Sequence, residues 1–276
     1  MSATGNKIIK LAVFGHPVVH SLSPRIHGMF AAATGVVVEY DRIDCPGGHL
    51  AGKLAEFRAR GGHGCNLTVP LKAEGLALAT HASRVAHQAD ACNTLVVAED
   101  GWHADNTDGA GLVADLDRLG VGLCDREVLV LGAGGAVAGI LGPLLDRGPR
   151  RICLVNRDVS RAERLAARFA GHGRPVEPRG YDSIPAGSGF DLLLQGTSLG
   201  HRGGCPPVQA AWLTADAVAY DLNYGPAFAP FAARCSELGI ACHPGLGMLI
   251  EQAAVAFELF TGVRPDTGSV HAALAK

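Results

Sequence analysis

Short apolar runs rich in β-branched residues alternate with amphipathic segments of helical period along the first part of the chain. Strands are predicted at Ile8 to Phe14, Val36 to Ile43, Asn66 to Val69 and Ala91 to Val97. Helices are predicted after Ser23, over Leu50 to Arg60 and around Glu74 to Thr80, with Ser23 as an N-cap before Pro24. A succession of this kind favours a mainly parallel sheet.

After Asp108 the pattern continues as a second α/β region. A linker helix is predicted over Gly109 to Leu119, and a strand, glycine turn and helix over Glu127 to Leu145. Further elements are the strand Arg151 to Val155, the helix Ser160 to Ala170 and buried strands at Phe190 to Leu194 and Ala217 to Leu222. We therefore expect a substrate-binding domain over 1–108, completed by 243–276, and a Rossmann-type domain over 109–242. The helix Met248 to Thr261 is expected to return to the first domain.

Composition excludes several classes of function. The 276 residues carry a formal net charge of −2, which gives no basic field for nucleic acid. No apolar run approaches the roughly 20 residues that span a bilayer, and the first 15 residues lack a signal-peptide pattern. The eight cysteines contain no CxxC pair, so neither disulfides nor a metal site is expected. We predict a cytoplasmic protein, monomeric or homodimeric, with small-molecule partners and no nucleic-acid or membrane partner.

The first chemical candidate is the segment Asn66 to Lys72, NLTVPLK. Pro70 supplies no backbone donor and disfavours helix in the residue before it, so Lys72 is expected at the end of a strand. An amide, a hydroxyl and an amine within seven residues can bind a polyhydroxylated molecule and move a proton on it. Taken alone, the segment fits a polar strand-to-loop transition with a solvated lysine better than a site.

The second candidate is the glycine turn Gly132 to Ala136, GAGGA, between a buried strand and a helix. Such a turn lets the backbone approach a pyrophosphate at a helix N-terminus. The third position of the dinucleotide pattern is Val137, so a tight turn without a ligand is the alternative. After the next strand, Asn156, Arg157 and Arg161 favour NADP, since arginine suits a 2'-phosphate, whereas Asp158 does not.

Together the motifs resemble the shikimate dehydrogenase family (shikimate/quinate dehydrogenases). The motifs are HSLSP from His20, NLTVPLK, ACNT from Ala91, NTDG from Asn106, GAGGA, NR at Asn156, TSLG from Thr197, YDLNYGP from Tyr220 and GLGMLIEQA from Gly245. The resemblance implies a two-domain α/β oxidoreductase of aromatic amino acid biosynthesis. Its reaction is the reversible NADP-dependent reduction of 3-dehydroshikimate to shikimate.

The resemblance also implies roles for particular residues. Lys72 and Asp108 match the catalytic pair. The substrate contacts are Ser21 and Ser23 on the carboxylate, Asn66, Thr68, Asn93 and Gln252 on ring hydroxyls, and Tyr224 near the carboxylate. The cofactor contacts are Gly132, Ala133, Gly134, Gly135, Ala136, Asn156, Arg157, Arg161, Thr197, Gly245 and Met248, the last against the nicotinamide.

Four positions depart from the family pattern: His16, His201, Ala138 and Asp158. The last two remove cationic or neutral partners near the cofactor, so NAD is expected to be usable at lower preference than NADP. A paralogue that acts on quinate or aminoshikimate is an alternative, although Ser23 is the shikimate form of its position. A ligand-binding relative without chemistry is another, against which the presence of both Lys72 and Asp108 argues.

Overall fold

The computed structural model describes residues 8–275, which form two compact units. The first unit comprises the described residues up to Gly111 together with those from Ile250 onward, and the second comprises Leu112–Leu249. Residues 1–7, which bear on the signal-peptide expectation, lie outside the described residues. Within 8–275, no helix combines the length and the apolar composition needed to cross a membrane.

The first unit is built on a six-stranded sheet in the order β2-β1-β3-β5-β6-β4. Its strands are β1 (Ile9–Gly15), β2 (Val38–Asp44), β3 (Gly62–Leu67), β4 (His81–Ala82), β5 (Thr94–Ala98) and β6 (Gly101–Asp105). Its helices are α1 (Ser23–Thr34), α2 (Leu50–Ala59), α3 (Lys72–Leu78), α4 (Arg84–Ala89) and α10 (Gly268–Leu274), with α5 (Asp108–Arg118) leading into the second unit. Only β5 among these strands runs against the others, so the expected mainly parallel sheet is confirmed.

The prediction that Ser23 caps the first helix was wrong. Leu22 occupies the cap position without a side-chain bond, and Ser23 is the first helical residue, with Pro24 beside it in the first turn. The Ser23 hydroxyl instead accepts a hydrogen bond from the Ser21 hydroxyl at 3.2 Å. The first turn therefore presents this serine to its neighbours in the fold and leaves the helix end uncapped by side chains.

The prediction that Lys72 ends a strand was also wrong. Strand β3 ends at Leu67, and Lys72 is the first residue of α3. Gly75 explains how α3 approaches the strand so closely, because a Cβ there would lie 2.0 Å from Leu67 Cδ1. The side chain of Lys72 thus projects from a helix start that is packed tightly onto the end of β3.

Helix α9 (Leu246–Thr261) returns to the first unit, as predicted from its amphipathic pattern. Ala256 and Phe260 pack on Leu11 of β1 in one apolar cluster.

His27 of α1 is stacked on Tyr40, with ring centroids 4.4 Å apart, and also contacts Phe257. Burial lowers the pKa of His27 to about 3, and within residues 8–275 neither ring nitrogen has a hydrogen-bond partner. The neutral imidazole therefore packs as an aromatic ring.

The second unit is a parallel six-stranded sheet in the order β12-β11-β10-β7-β8-β9. Its strands are β7 (Glu127–Leu131), β8 (Arg151–Val155), β9 (Val176–Arg179), β10 (Phe190–Gln195), β11 (Leu213–Asp221) and β12 (Ala241–Pro244). Its helices are α6 (Gly135–Asp146), α7 (Val159–Ala167) and α8 (Ala229–Glu237). If the strands of this unit are numbered 1 to 6 from β7 to β12 and the sheet is read from β9, their order is 3-2-1-4-5-6. This is the order of dinucleotide-binding folds, so the expected Rossmann-type sheet is confirmed. Ligands of such sheets bind where the strand order reverses, here between β7 and β10.

Candidate active site

Asn93, just before β5, is a buried amide that connects the side chains assigned to catalysis and substrate binding. Its Nδ2 donates to Asp108 Oδ1 at 2.8 Å and to Gln252 Oε1 at 3.2 Å. Its Oδ1 accepts from the backbone N–H of Thr107 and from the Thr94 hydroxyl, both at 2.9 Å. Asn93 is 3% exposed, so these protein partners stand in for water and fix the orientation of the amide.

The loop before Asp108 is held by side chains of its own motif. Asn106 Nδ2 donates to the carbonyl oxygen of Ala91 at 2.9 Å, and its Oδ1 accepts from the Asp108 N–H at 3.1 Å. Asp108 is the first residue of α5, where the helix dipole stabilises a carboxylate. The carboxylate is thereby fixed in place before it meets a ligand.

Lys72 and Asp108 form an ion pair in which Lys72 Nζ donates to Asp108 Oδ2. The side chain of Lys72 is 21% exposed and that of Asp108 is 10% exposed, so the pair is largely shielded from water, which strengthens the attraction. An ammonium has three donors, and the carboxylate receives one of them. The pair can therefore hold a proton donor at a defined point and present it to a bound oxygen atom.

Two further hydrogen bonds link residues of this unit in pairs. The Ser21 hydroxyl donates to the Ser23 hydroxyl at 3.2 Å, and the Tyr40 hydroxyl donates to Asn66 Oδ1 at 2.7 Å. Asn66 Nδ2 in turn donates to the Thr94 hydroxyl at 3.1 Å. Burial raises the pKa of Tyr40, which keeps its hydroxyl a donor. The sequence did not single out Tyr40, because a tyrosine in a β-strand is a common packing residue.

Most of the predicted substrate-site residues are therefore gathered in the first unit. Thr68 lies next to the end of β1, since its backbone N–H donates to the carbonyl oxygen of Phe14 at 2.9 Å. Tyr224 is the exception, because it belongs to the second unit. Apart from one ion pair, the lining consists of amides and hydroxyls, which suits a ligand rich in hydroxyl groups.

In the second unit, the glycine turn follows β7 at the reversal of strand order. Gly132 has φ +110°, and a Cβ there would lie 3.1 Å from the backbone of Gly196 after β10. Gly134 precedes α6 without a side-chain cap, and a Cβ at Gly134 or Gly135 would meet nothing within 4 Å. A helix start without a side-chain cap, beside glycines with open space around them, fits a pyrophosphate.

Val137, which replaces the third glycine of the dinucleotide pattern, is accommodated by a glycine elsewhere. It is fully buried, and a Cβ on Gly196 would lie 2.3 Å from Val137 Cγ2. The glycine that allows α6 to approach the sheet is therefore Gly196, just after β10, and does not lie in the helix. The following residue, Ala138, is buried in α6.

After β8, the Asp158 carboxylate accepts hydrogen bonds within the protein, whereas the Arg157 side chain is exposed. Asp158 caps α7, accepting from the N–H and the hydroxyl of Ser160 at 3.2 and 2.8 Å, and these bonds lower the pKa of its carboxyl. Arg161 Nε lies 3.9 Å from Asp158 Oδ2. Arg157 is exposed and, within the described part of the chain, has no acidic partner. Asn156 Nδ2 donates to the carbonyl oxygen of Asp158 at 2.9 Å.

Thr197 is positioned by polar side chains at the ends of β10 and β11. Its carbonyl oxygen accepts from Asn223 Nδ2 at 3.0 Å, and its N–H donates to Gln195 Oε1. Asn223 is held by Asp221 Oδ1, while burial raises the pKa of Asp221 to about 6. Asp221 lies within a motif that the sequence identified, but its supporting role was visible only in the structure.

The start of α9 is held by a buried tyrosine. Tyr220 accepts from the Met248 N–H at 3.1 Å and donates to Asp115 Oδ2 at 2.7 Å. Gly245, just before α9, is needed because a Cβ would lie 2.4 Å from the carbonyl oxygen of Leu222. Met248 and Gly245 therefore occupy fixed positions in the second unit.

Sequence profiles of known families match most of the chain. The shikimate dehydrogenase substrate binding domain matches residues 13–95, and the shikimate / quinate 5-dehydrogenase profile matches residues 116–185. The shikimate 5'-dehydrogenase C-terminal domain matches residues 245–275. These three regions include the Asn66 to Lys72 segment, the glycine turn and α9.

Similar proteins extend over nearly the whole length. The chain is 46% identical to the shikimate dehydrogenase (NADP(+)) of Acidovorax sp. strain JS42, over 94% of this chain and 93% of that one. It is 38% identical to an Ael1 enzyme from Pseudomonas putida, with a TM-score of 0.90 and coverage of 96% and 98%. It is 33% identical to shikimate 5-dehydrogenase from Thermus thermophilus, solved with NADP(H) and shikimate, with a TM-score of 0.84 and coverage of 97% and 98%.

Proposed function

Because this chain belongs to the shikimate dehydrogenase family, we propose that it catalyses the reversible NADP-dependent reduction of 3-dehydroshikimate to shikimate. The observation that carries the proposal is the Lys72–Asp108 ion pair, held by Asn93 within a lining of neutral amides and hydroxyls. A protein that only bound its ligand would not require a shielded, oriented ammonium beside the hydroxyl-binding groups.

The proposed reaction adds a hydride and a proton across the ketone. NADPH, when bound, supplies the hydride to the carbonyl carbon. The Lys72 ammonium donates the proton to the oxygen as negative charge develops on it, and in the reverse direction the neutral amine removes that proton. Asp108 orients the amine and accepts a hydrogen bond from a neighbouring substrate hydroxyl.

Substrate recognition in this proposal rests on neutral amides and hydroxyls. Asn66, Asn93, Thr68 and Gln252 bind the ring hydroxyls, while Ser21 and Ser23 hold the carboxylate. A site built to hydrogen-bond hydroxyls rejects ligands that lack them, because its buried polar groups would lose their partners.

Each structural unit has a proposed role. We assign the substrate to the first unit and the cofactor to the second, with the pyrophosphate on residues 132–136, the 2'-phosphate on Arg157 and Arg161 beside Asn156, and the nicotinamide half near Thr197, Gly245 and Met248. We also infer a cytoplasmic location, supported by eight free cysteines, and a monomer or homodimer without nucleic-acid or membrane partners.

We expect shikimate to give the highest kcat/KM when shikimate, quinate and aminoshikimate are each assayed with NADP and with NAD. Quinate carries an extra tertiary hydroxyl beside its carboxylate, where Ser21 and Ser23 leave a small neutral site. A neutral pocket rejects an added hydroxyl by on the order of a hundredfold. Absorbance of the reduced nicotinamide measures all six combinations.

The same survey separates the proposal from its paralogue. If quinate or aminoshikimate were turned over tenfold better than shikimate, family membership would stand and the proposed substrate would be wrong. Binding of shikimate without turnover of any of the three would instead favour a relative that has lost its chemistry.

We expect Arg157→Ala to raise the KM for NADP and to leave the KM for NAD nearly unchanged. A charge-assisted hydrogen bond to the 2'-phosphate is worth about 1.5 to 3 kcal/mol, or roughly 10- to 100-fold. Because Arg157 is exposed, solvent screening favours the lower end, about tenfold. Steady-state kinetics with both cofactors at saturating shikimate measure the change.

A matched control is Arg164→Ala on α7, the helix that follows Arg157; the guanidinium of Arg164 donates to Ser160 at 3.0 Å. It should leave both KM values close to those of the parent. Equal losses for NADP and NAD in Arg157→Ala would assign Arg157 to the fold or to the shared part of the nucleotide.

Asp158→Thr should increase the preference for NADP, since it removes a carboxylate from the neighbourhood of the phosphate.

A further inference from the structure

Three side chains with metal-ligand chemistry meet at the β4 edge of the first unit's sheet. His81 of β4 is paired in parallel register with His103 of β6, so the two imidazoles project from the same face of the sheet. Asp100 lies in the turn that joins β5 to β6. All three side chains are exposed, by 67%, 46% and 51% respectively, and none belongs to the proposed active site.

The three ligand atoms converge on one point in space. His81 Nε2 lies 2.9 Å from Asp100 Oδ2, and His103 Nε2 lies 2.8 Å from Asp100 Oδ1. The two imidazole rings are edge-to-face, with centroids 4.9 Å apart. One ligand atom from each side chain lies within 4.8 Å of the other two.

The backbone under this cluster is anchored on both sides of His81. The N–H and the hydroxyl of Thr80 both donate to the carbonyl oxygen of Trp102, at 2.9 and 3.1 Å, and the Ser83 N–H donates to the carbonyl oxygen of Ala104 at 2.9 Å. Gly101, with φ +143°, allows the β5–β6 turn to lie close to Thr80, because a Cβ on Gly101 would lie 2.4 Å from Thr80 Cγ2. Ligands on strands held in this way are preorganised.

We propose that His81, Asp100 and His103 bind a divalent first-row transition ion, with Zn²⁺ as the representative probe and water completing its coordination. Two imidazole nitrogens and one carboxylate suit Zn²⁺, Co²⁺ or Ni²⁺, whereas Mg²⁺ and Ca²⁺ prefer oxygen ligands alone. Ligand atoms at about 2.0–2.2 Å from a tetrahedral ion lie roughly 3.3 Å apart. The observed separations of 2.8 and 2.9 Å run to different oxygens of Asp100, so the exposed side chains must rotate until one ligand atom from each, now within 4.8 Å of the others, reaches that spacing.

The competing description is a carboxylate that accepts hydrogen bonds from two imidazoles without any ion. That arrangement needs a proton on both Nε2 atoms, which an ion would displace. An ion bound at Nε2 needs the lone pair of that nitrogen, so the proton of each neutral ring must then lie on Nδ1, and the two descriptions exclude one another. They also differ in cation selectivity, because hydrogen bonding alone gives no preference for Zn²⁺ over Mg²⁺.

The test is a titration of the purified full chain with Zn²⁺ in competition with a chromophoric chelator. The parent is expected to bind one equivalent that His81→Ala, His103→Ala and Asp100→Asn each weaken by about tenfold or more, since even the outer partners of metal ligands are worth roughly 10- to 100-fold in affinity. His87→Ala, an exposed histidine on α4 of the same unit, is the matched control and should bind like the parent. Circular dichroism and Tm without metal confirm that each variant is folded.

A second readout distinguishes this cluster from the cysteines. Co²⁺ bound at the cluster should give visible d–d bands that disappear in His81→Ala, without a thiolate charge-transfer band. The proposal is overturned if the parent binds no equivalent, if Mg²⁺ competes as well as Zn²⁺, or if affinity is the same in all three variants and in His87→Ala. A thiolate band that persists in the variants would likewise place the ion on cysteine.

Discussion

Lys72→Met is expected to lower kcat by roughly 10²- to 10⁴-fold, the range for removing a general acid or base. Methionine keeps most of the length of the side chain and removes the ammonium, so no group remains at that point to protonate the forming alkoxide. Shikimate should still bind, because the amides and hydroxyls around Asn93 hold one another independently of Lys72. Steady-state kinetics and calorimetric titration with shikimate separate the two effects.

Lys53→Met is a suitable control. Lys53 lies on α2 of the same unit and pairs with Glu56 at 3.2 Å on the surface, so its loss should leave kcat and KM unchanged. Near-normal turnover by Lys72→Met would remove this lysine from the chemistry. A parallel loss of shikimate affinity and kcat would assign Lys72 to ground-state binding instead.

Asp108→Asn is expected to lower kcat/KM by about 10²- to 10³-fold, through both kcat and KM. The amide cannot accept from the Lys72 ammonium and from Asn93 Nδ2 at the same time, because one of its two ends is a donor. Each charge-assisted bond lost is worth about 1.5 to 3 kcal/mol, or roughly 10- to 100-fold. The same kinetic and calorimetric measurements apply.

The control for this variant is Asp117→Asn on the same helix, where the carboxylate pairs with Arg147 at the surface. Exposed pairs of this kind contribute little, so its kinetics should match the parent. If Asp108→Asn changed KM alone, Asp108 would bind substrate without orienting the amine. Unchanged kinetics would exclude both roles.

The sequence predicted an element where the period of its apolar residues and the length of the segment indicated the same type of secondary structure. The strand, glycine turn and helix around Gly132 and the return of α9 follow from continuous apolar patterns. The sequence did not predict the β5–β6 hairpin, which joins two strands through Glu99 and Asp100 and reverses β5 in a parallel sheet. Very short elements such as β4 carry too few residues for a period to appear.

The sequence displays the motifs of the candidate site but does not display the hydrogen bonds that connect their side chains. Lys72 and Asp108 stand in short motifs that the sequence displays. The close approach of α3, which begins at Lys72, to the end of β3 depends on Gly75, where a Cβ would clash with Leu67. Tyr40 was missed for the same reason, because its role comes from Asn66, a neighbour 26 positions away. Long-range hydrogen bonds leave no local pattern in the chain.

The hydrogen-bond network around Asn93 also determines whether side-chain conformational entropy is lost on folding or on ligand binding. Asn66, Asn93 and Thr107 are held by protein partners. Ordering a flexible polar side chain on binding costs about 0.5 to 1.5 kcal/mol, and these side chains lose that freedom when the protein folds. A ligand with the matching hydroxyl pattern therefore meets a rigid template, and selectivity among polyols is a property of the folded state before any ligand arrives.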